Sequence, residues 1–348
     1  MSIEARVAEL TAVREFRLAE TTIADPAPGE VQVRVAAVGI CGSDLHSYSD
    51  GAVGDSPCVY PMVLGHEPAG VVVKTGTGVT GWSAGARAAF EPALYCYHCE
   101  FCQTGHHNVC ANLRFMSNPG EPGFFREYMN LPAANLLAIP SGLSLDHATL
   151  IEPLAVVLHS MQFVALKPSE TAAVFGVGPI GLLTVAALKL AGAGRVWAAD
   201  PVAHRLAMAR AAGADALIDP RAVDPVRQIL HDTGGRGVDV AIDCGGRDGS
   251  INESIRVTRN AGRVVVTAIP QEVAVPLDFH TMRRKEIVLY NVRRSNHESR
   301  AALQILTEHI QRFAPIVTHA RPLAQIGAAF QQLESYADGA GKIVIQCA

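Results

Sequence analysis

The segment Thr171-Ala172-Ala173-Val174-Phe175-Gly176-Val177-Gly178-Pro179-Ile180-Gly181 reads as a short apolar strand that runs into a glycine-rich turn and then a helix, Pro179 to Ala191. In a Gly-x-Gly-x-x-Gly turn the first glycine, Gly176, permits the tight bend. The second, Gly178, lets the backbone approach a pyrophosphate, and the third, Gly181, lets the helix pack closely on the strand. Val177, Pro179 and Ile180 complete the turn. The helix start offers unpaired N–H groups and a positive dipole end to phosphates. Asp200 ends the next strand, nineteen residues beyond Gly181. A carboxylate there accepts from a ribose 2′-hydroxyl and repels a 2′-phosphate, which favours NAD over NADP. Arg205, close by, is a cation that softens this preference. The alternative reading of Asp200 is a cap on the following helix.

Downstream, Arg195 to Ala199, Val238 to Asp243, Arg263 to Ala268 and Ile287 to Tyr290 are further apolar strand candidates, with helical stretches such as His204 to Ala212 among them. This alternation predicts a doubly wound parallel sheet with helices on both faces. Upstream the pattern differs. Val31, Val33 and Val35 alternate with Gln32 and Arg34 after the turn Pro26 to Gly29, as in a half-buried strand, and Val71 to Val73 is another short strand. The first 150 residues therefore read as an irregular β-rich domain. From about Asn291 an amphipathic helix near Ala301 to Gln311 and a strand, Lys342 to Gln346, follow.

A chain of 348 residues is consistent with two domains. Apolar residues make up 49%, and a formal net charge of −4 gives no general electrostatic attraction to nucleic acid or an acidic membrane surface. No apolar run is long enough for a transmembrane helix, and Met1 to Leu10 lacks the apolar core of a signal peptide, so the expectation is a cytoplasmic protein.

Cys96, Cys99, Cys102 and Cys110 follow a C-x2-C-x2-C-x7-C pattern within eight cysteines overall. Three thiolates from one loop and a fourth from the returning chain make a closed tetrahedral zinc shell, which is structural because no position stays open. An iron–sulfur cluster shares the opening spacing, but its fourth cysteine follows after three residues and precedes proline, whereas Ala111 follows Cys110 here. Unliganded thiols are the remaining reading. A second set of donors is dispersed: Cys41 in Gly39-Ile40-Cys41-Gly42-Ser43-Asp44-Leu45-His46, His66 and Glu67 after Gly65, and Glu152 before Pro153. Cysteine, histidine and carboxylate together can hold zinc with one position open. Singly, Cys41 reads equally as a small buried apolar residue and His66 as a hydrogen-bonded loop residue.

These motifs in this order resemble the zinc-containing medium-chain dehydrogenases over nearly the whole chain. Glu152-Pro153-Leu154-Ala155-Val156 resembles the polyol (sorbitol- and idonate-type) branch. The resemblance implies an α/β fold: a GroES-like β-rich catalytic domain over 1–150, completed by 291–348, and a Rossmann NAD-binding domain over 151–290, with the active site in the cleft between them. It implies one catalytic and one structural zinc per chain. Cys41 and His66 would be ligands of the catalytic ion, with Glu67 and Glu152 ligating directly or through water. The metal would act as Lewis acid on a secondary alcohol whose hydride passes to the nicotinamide. Ser43 would take the hydroxyl proton and pass it through the cofactor ribose toward His46 and solvent.

Tyr48, Phe115, Glu152 and Arg293 are the implied substrate residues, with Arg293 placed to bind polyol hydroxyls or a sugar-acid carboxylate. Arg294 and Ser47 stand where the branch has aromatic residues, which leaves sorbitol itself open. The expected partner is a small alcohol or polyol, and the expected assembly a homodimer or homotetramer formed through edge strands of the Rossmann domain. The competing readings are a threonine-, glucose- or simple-alcohol-type zinc dehydrogenase, a zinc-free quinone-reductase-like enzyme, and a nucleotide-binding scaffold without turnover. Cys41, His66 and the four lobe cysteines argue against the zinc-free enzyme, and the intact set Cys41, Ser43, His66 and Glu67 argues against the scaffold.

Overall fold

A computed structural model describes residues 2–247 and 249–348. It divides into two compact units, 1–152 with 299–308 and 317–348, and 153–298 with 309–316.

The first unit is built on a seven-stranded sheet. Its central strand is Glu30–Gly39, which pairs antiparallel with Glu67–Thr75 on one side and with Lys342–Gln346 on the other. Val31, Val33 and Val35 are buried as their alternation predicts. Gln32, expected to face solvent, is buried as well, because its amide donates to the Ala24 carbonyl and to Asn130. Register shifts between Gln32 and Val33 and between Val35 and Ala37 bend this strand. Its last residue, Gly39, then lies opposite Glu67. The core of this unit gathers the sheet's inner face with Leu64, Phe124, Phe125 and the helix Ile326–Glu334.

The second unit is a six-stranded parallel sheet. Numbered within the unit, its strands stand in the order 3-2-1-4-5-6, with Thr171–Phe175 first, then Arg195–Ala199, Ala216–Ile218, Val238–Asp243, Thr258–Val266 and Val288–Asn291. This is the dinucleotide-binding order, and its switch point lies between the first and fourth strands, where ligands bind beyond the carboxyl ends. Ala216–Ile218 is too short to stand out in the sequence. The amphipathic stretch after Asn291 is not one helix: Ser299–Glu308 and Ile310–Phe313 are separate, and they belong to different units. Among the described residues no helix is long and apolar enough to cross a membrane.

Candidate active site

The cysteine lobe comes together as four free thiols, with all four Sγ atoms within 4.8 Å of one another. Individual separations are 3.5 Å for Cys96–Cys110, 3.9 Å for Cys99–Cys110 and 4.0 Å for Cys96–Cys102. A tetrahedron with Zn–S bonds of ~2.3 Å has edges of about 3.8 Å, so the thiols already stand at zinc spacing. Backbone N–H groups point at the sulfurs: Cys99 donates to Cys96 Sγ and Cys96 to Cys110 Sγ. Donors at His98, Asn112 and Cys99 hold Cys96 at about 5. Burial, with the neighbouring thiols, pushes Cys102 up to about 12.

The second cluster is Cys41, His66 and Glu67, whose donor atoms also lie within 4.8 Å of one another. Local structure explains the convergence. Cys41 is the N-cap of the helix Gly42–Asp50, in extended conformation, and its N–H donates to Asp44 Oδ2, three residues on, at 3.1 Å. The other Asp44 oxygen accepts from Gly65 N–H and from Ser117 Oγ, at 3.1 and 3.0 Å. It also lies 3.3 Å from His66 Nδ1. That contact is poorly aligned for a hydrogen bond, but it turns Nε2 toward the opposite side, where Ser43 Oγ lies 3.5 Å away. Burial alone would lower the His66 pKa, yet the Asp44 carboxylate and the Cys41 thiol outweigh it and hold the imidazole well above its ordinary value. Asp44 is depressed in turn, His66 overcoming the effect of burial. A histidine set beside a buried carboxylate, with a ring nitrogen within reach of a cysteine and a glutamate, has the arrangement of a metal ligand.

Glu67 is fully buried, and its side chain lies across Gly39, where a Cβ would meet Oε2 at 2.1 Å. Lys342 Nζ donates to both Glu67 oxygens, at 2.7 and 2.6 Å, and to the Ile40 carbonyl at 3.0 Å. Burial disfavours the Lys342 ammonium, but Glu67, Cys41 and Glu152 hold its pKa raised. Glu152 stands outside the three-donor cluster yet within electrostatic reach of it: burial pushes it up to about 7, Glu67 and Glu91 push the same way, and His66 opposes. Two carboxylates, Asp44 and Glu67, are thus held by His66 and Lys342, with the Cys41 thiol and the Glu152 carboxyl beside them.

The other predicted residues are distributed as follows. The Phe115 ring lies 5.4 Å from the His66 ring. His46 Nδ1 pairs with Asp50 at 2.9 Å. Tyr48 is fully buried and packs against Phe16 and Phe330 at 5.7 and 5.0 Å, so it belongs to the apolar core and is not carried forward as a substrate residue. Arg293 is exposed in the loop after the last parallel strand.

In the second unit Gly176 has φ +80°, and a Cβ on it would come within 2.5 Å of the Gly245 backbone. A Cβ on Gly181 would meet the Gly176 carbonyl oxygen at 2.0 Å. Gly178 caps the helix Pro179–Leu190, and the only atoms near a Cβ there are the Arg205 guanidinium at 3.8 Å, so the backbone is open to a ligand beneath that cation. Asp200 is buried and accepts from Val177 N–H and Val202 N–H, both at 2.8 Å. It therefore ties the glycine turn to the end of its own strand.

Sequence reasoning missed Asp44, Lys342 and the second glycine loop, Asp243 to Gly246, that backs the first. Signals existed for the first two: Asp44 falls within the quoted Cys41 motif, and Lys342 opens an otherwise apolar strand.

Residues 27–141 match the alcohol dehydrogenase GroES-like domain and residues 179–308 match the zinc-binding dehydrogenase domain. The sorbitol dehydrogenase of Bacillus subtilis (strain 168) is 32% identical over 332 residues, covering 95% of this chain and 94% of that one. The structure of L-idonate 5-dehydrogenase from Escherichia coli K-12 superposes with a TM-score of 0.91 at 27% identity, covering 99% of both chains. A zinc-binding dehydrogenase fold from Sinorhizobium meliloti 1021, solved with NADP bound, superposes with a TM-score of 0.90 at 30% identity, again over 99% of both. The chain belongs to the zinc-containing medium-chain dehydrogenase family, in its polyol dehydrogenase branch. It is a zinc-dependent oxidoreductase acting on an alcohol with a nucleotide cofactor.

Proposed function

We propose that this enzyme oxidises a secondary hydroxyl of a polyol or sugar acid with NAD, and that the convergence of Cys41, His66 and Glu67 beside Ser43 marks its reacting centre. Cys41 and His66, with Glu67 or Glu152 directly or through water, would hold a zinc ion, which would supply Lewis acidity toward the substrate hydroxyl. Asp44 orients His66 and joins the Cys41, Gly65 and Ser117 segments, so the donors are fixed before substrate arrives. Lys342 holds Glu67 and offsets part of its charge. Ser43 Oγ takes the hydroxyl proton and releases its own toward His46, whose partner Asp50 keeps the imidazole in place. Phe115 contributes an apolar wall beside His66. The glycine turn and the helix start at Pro179 bind the pyrophosphate, and Asp200 takes the ribose hydroxyls and disfavours a 2′-phosphate.

Arg293 is the residue proposed to recognise substrate hydroxyls or a carboxylate. In this reading Cys96, Cys99, Cys102 and Cys110 hold a second, structural zinc. The catalytic domain corresponds to the first unit, 1–152 with 299–308 and 317–348, and the Rossmann domain to the second, 153–298 with 309–316, so the expected boundary at 291 moves to 299 and the short segment 309–316 returns to the Rossmann unit. The protein works in the cytoplasm, where its eight cysteines stay reduced. It assembles as a homo-oligomer through the open edge strand Val288–Asn291, near which Leu277, Phe279 and Val288 are exposed. NADH absorbance with polyols, sugar acids, threonine and short secondary alcohols tests the substrate class. Preference for threonine or a simple alcohol overturns the polyol reading, and light scattering on the same sample reads the oligomer.

A further inference from the structure

The loop 292–298 carries Arg293 out of the last parallel strand, and both of its ends are tied. At the start, Val292 N–H donates to the Val266 carbonyl at 2.9 Å, extending the sheet by one residue. At the end stands Glu298, which faces back into its own unit. Its Oε1 receives His159 Nδ1 at 2.9 Å and Gln162 Nε2 at 2.7 Å. Its Oε2 receives the Asn296 backbone N–H. His159 and Gln162 are three residues apart on the helix Ile151–Val164, so one face of one helix supplies both side-chain donors.

The clamp is buried: the His159 and Glu298 side chains are 8% and 10% exposed. It is also braced by rings. The His159 ring stands edge-on to Phe163 at 5.3 Å, and Phe163 packs on Tyr290, in the strand that precedes the loop, at 5.4 Å. Between the two ties the backbone is unusual. Arg294 has φ 55° and His297 has φ 74°, a region that non-glycine residues seldom adopt and that persists where surrounding contacts impose it. Histidine tolerates this region better than most residues, but arginine does not, so contacts around the loop, the two ties among them, hold the path at Arg294.

We infer that Glu298, gripped by His159 and Gln162, is a positioning residue that sets the path of loop 292–298 and thereby the placement of Arg293 for the substrate. This rests on the proposed reading of Arg293 as the residue that meets polyol hydroxyls or a carboxylate. Glu298 touches neither substrate nor cofactor in this account. It acts through the Asn296 N–H and the loop, and removing it should spread Arg293 over several placements. The cost falls on substrate binding and leaves the bound cofactor alone.

The test uses the zinc-loaded full chain with the best substrate from the panel. E298A is expected to raise KM for that substrate about tenfold, while kcat stays within roughly threefold and NADH affinity by fluorescence titration within about twofold. E298Q keeps the length and one carbonyl acceptor, and is expected to recover most of the loss. R293A is measured in parallel. If R293A raises KM and E298A does not, the inference fails while the reading of Arg293 stands. If neither changes KM, the reading of Arg293 fails and takes the inference with it. If E298A and E298Q both lose kcat, NADH affinity and thermal stability together, Glu298 is a general structural residue and the positioning role is wrong.

Discussion

Lys342 Nζ lies 2.6 and 2.7 Å from the two carboxylate oxygens of Glu67, and both side chains are buried. The pair joins two strands that flank Glu30–Gly39 on opposite sides, so its partners are 275 residues apart in sequence. A buried ion pair adds little net stability over an apolar pair, but breaking one side of it leaves an uncompensated charge. K342M is therefore expected to destabilise the metal-free protein by about 3 kcal/mol in urea unfolding. The zinc-loaded protein should lose less, because the cation takes over part of the compensation. K342M/E67Q should recover much of the loss. Equal losses with and without zinc would show that Glu67 is remote from the metal.

The cysteine lobe gives a prediction independent of turnover. C102S should lower bound zinc by about one ion per chain and lower the melting temperature by roughly 5–10 °C, since a closed zinc shell contributes directly to folding. Loss of both ions would mean that the two sites are not separate.

Asp200 governs cofactor choice in this account. D200S should weaken NAD about tenfold or more in kcat/KM and narrow the gap to NADP, because the carboxylate that repels a 2′-phosphate is gone. An NADP preference in the unmodified enzyme would contradict the assignment.

Asp239 supplies the pH dependence. It accepts from Arg236, Arg259 and Thr171 at the start of the parallel sheet. Burial opposes its ionisation, but those donors outweigh it and hold its pKa well below the usual carboxylate range. A depressed native pKa stabilises the fold at pH values above the unfolded carboxylate's, about 4, and that contribution is lost as pH falls further. D239N should cost about 2 kcal/mol at pH 7 and progressively less below pH 4. A cost that does not change with pH would remove the electrostatic account.

Much of this was readable from the chain. The parallel sheet, its glycine turn and Asp200 follow a local pattern in which each residue's task is set by its immediate neighbours. The cysteine lobe is equally local. The second cluster is harder, because Cys41, His66 and Glu67 meet only once two strands and a capped helix are in register, and resemblance rather than spacing linked them. Tyr48 misled because a residue that follows a functional motif on a helix can turn either to a pocket or to the core, and here Phe16 and Phe330 take it. Lys342 and Glu298 went unnoticed because their partners are distant in sequence and leave no periodic trace.

The central claim is that Cys41, His66 and Glu67, with Glu152 near, form a second metal site at which an alcohol is oxidised. The most direct test is zinc per chain, measured on protein purified without chelators, together with NADH formation on a polyol and sugar-acid panel, for the wild type and C41S. The account predicts two zincs and NAD-linked turnover for the wild type, and one zinc with turnover reduced at least about 10³-fold for C41S. One zinc in the wild type, or C41S retaining both its zinc and its activity, would contradict it.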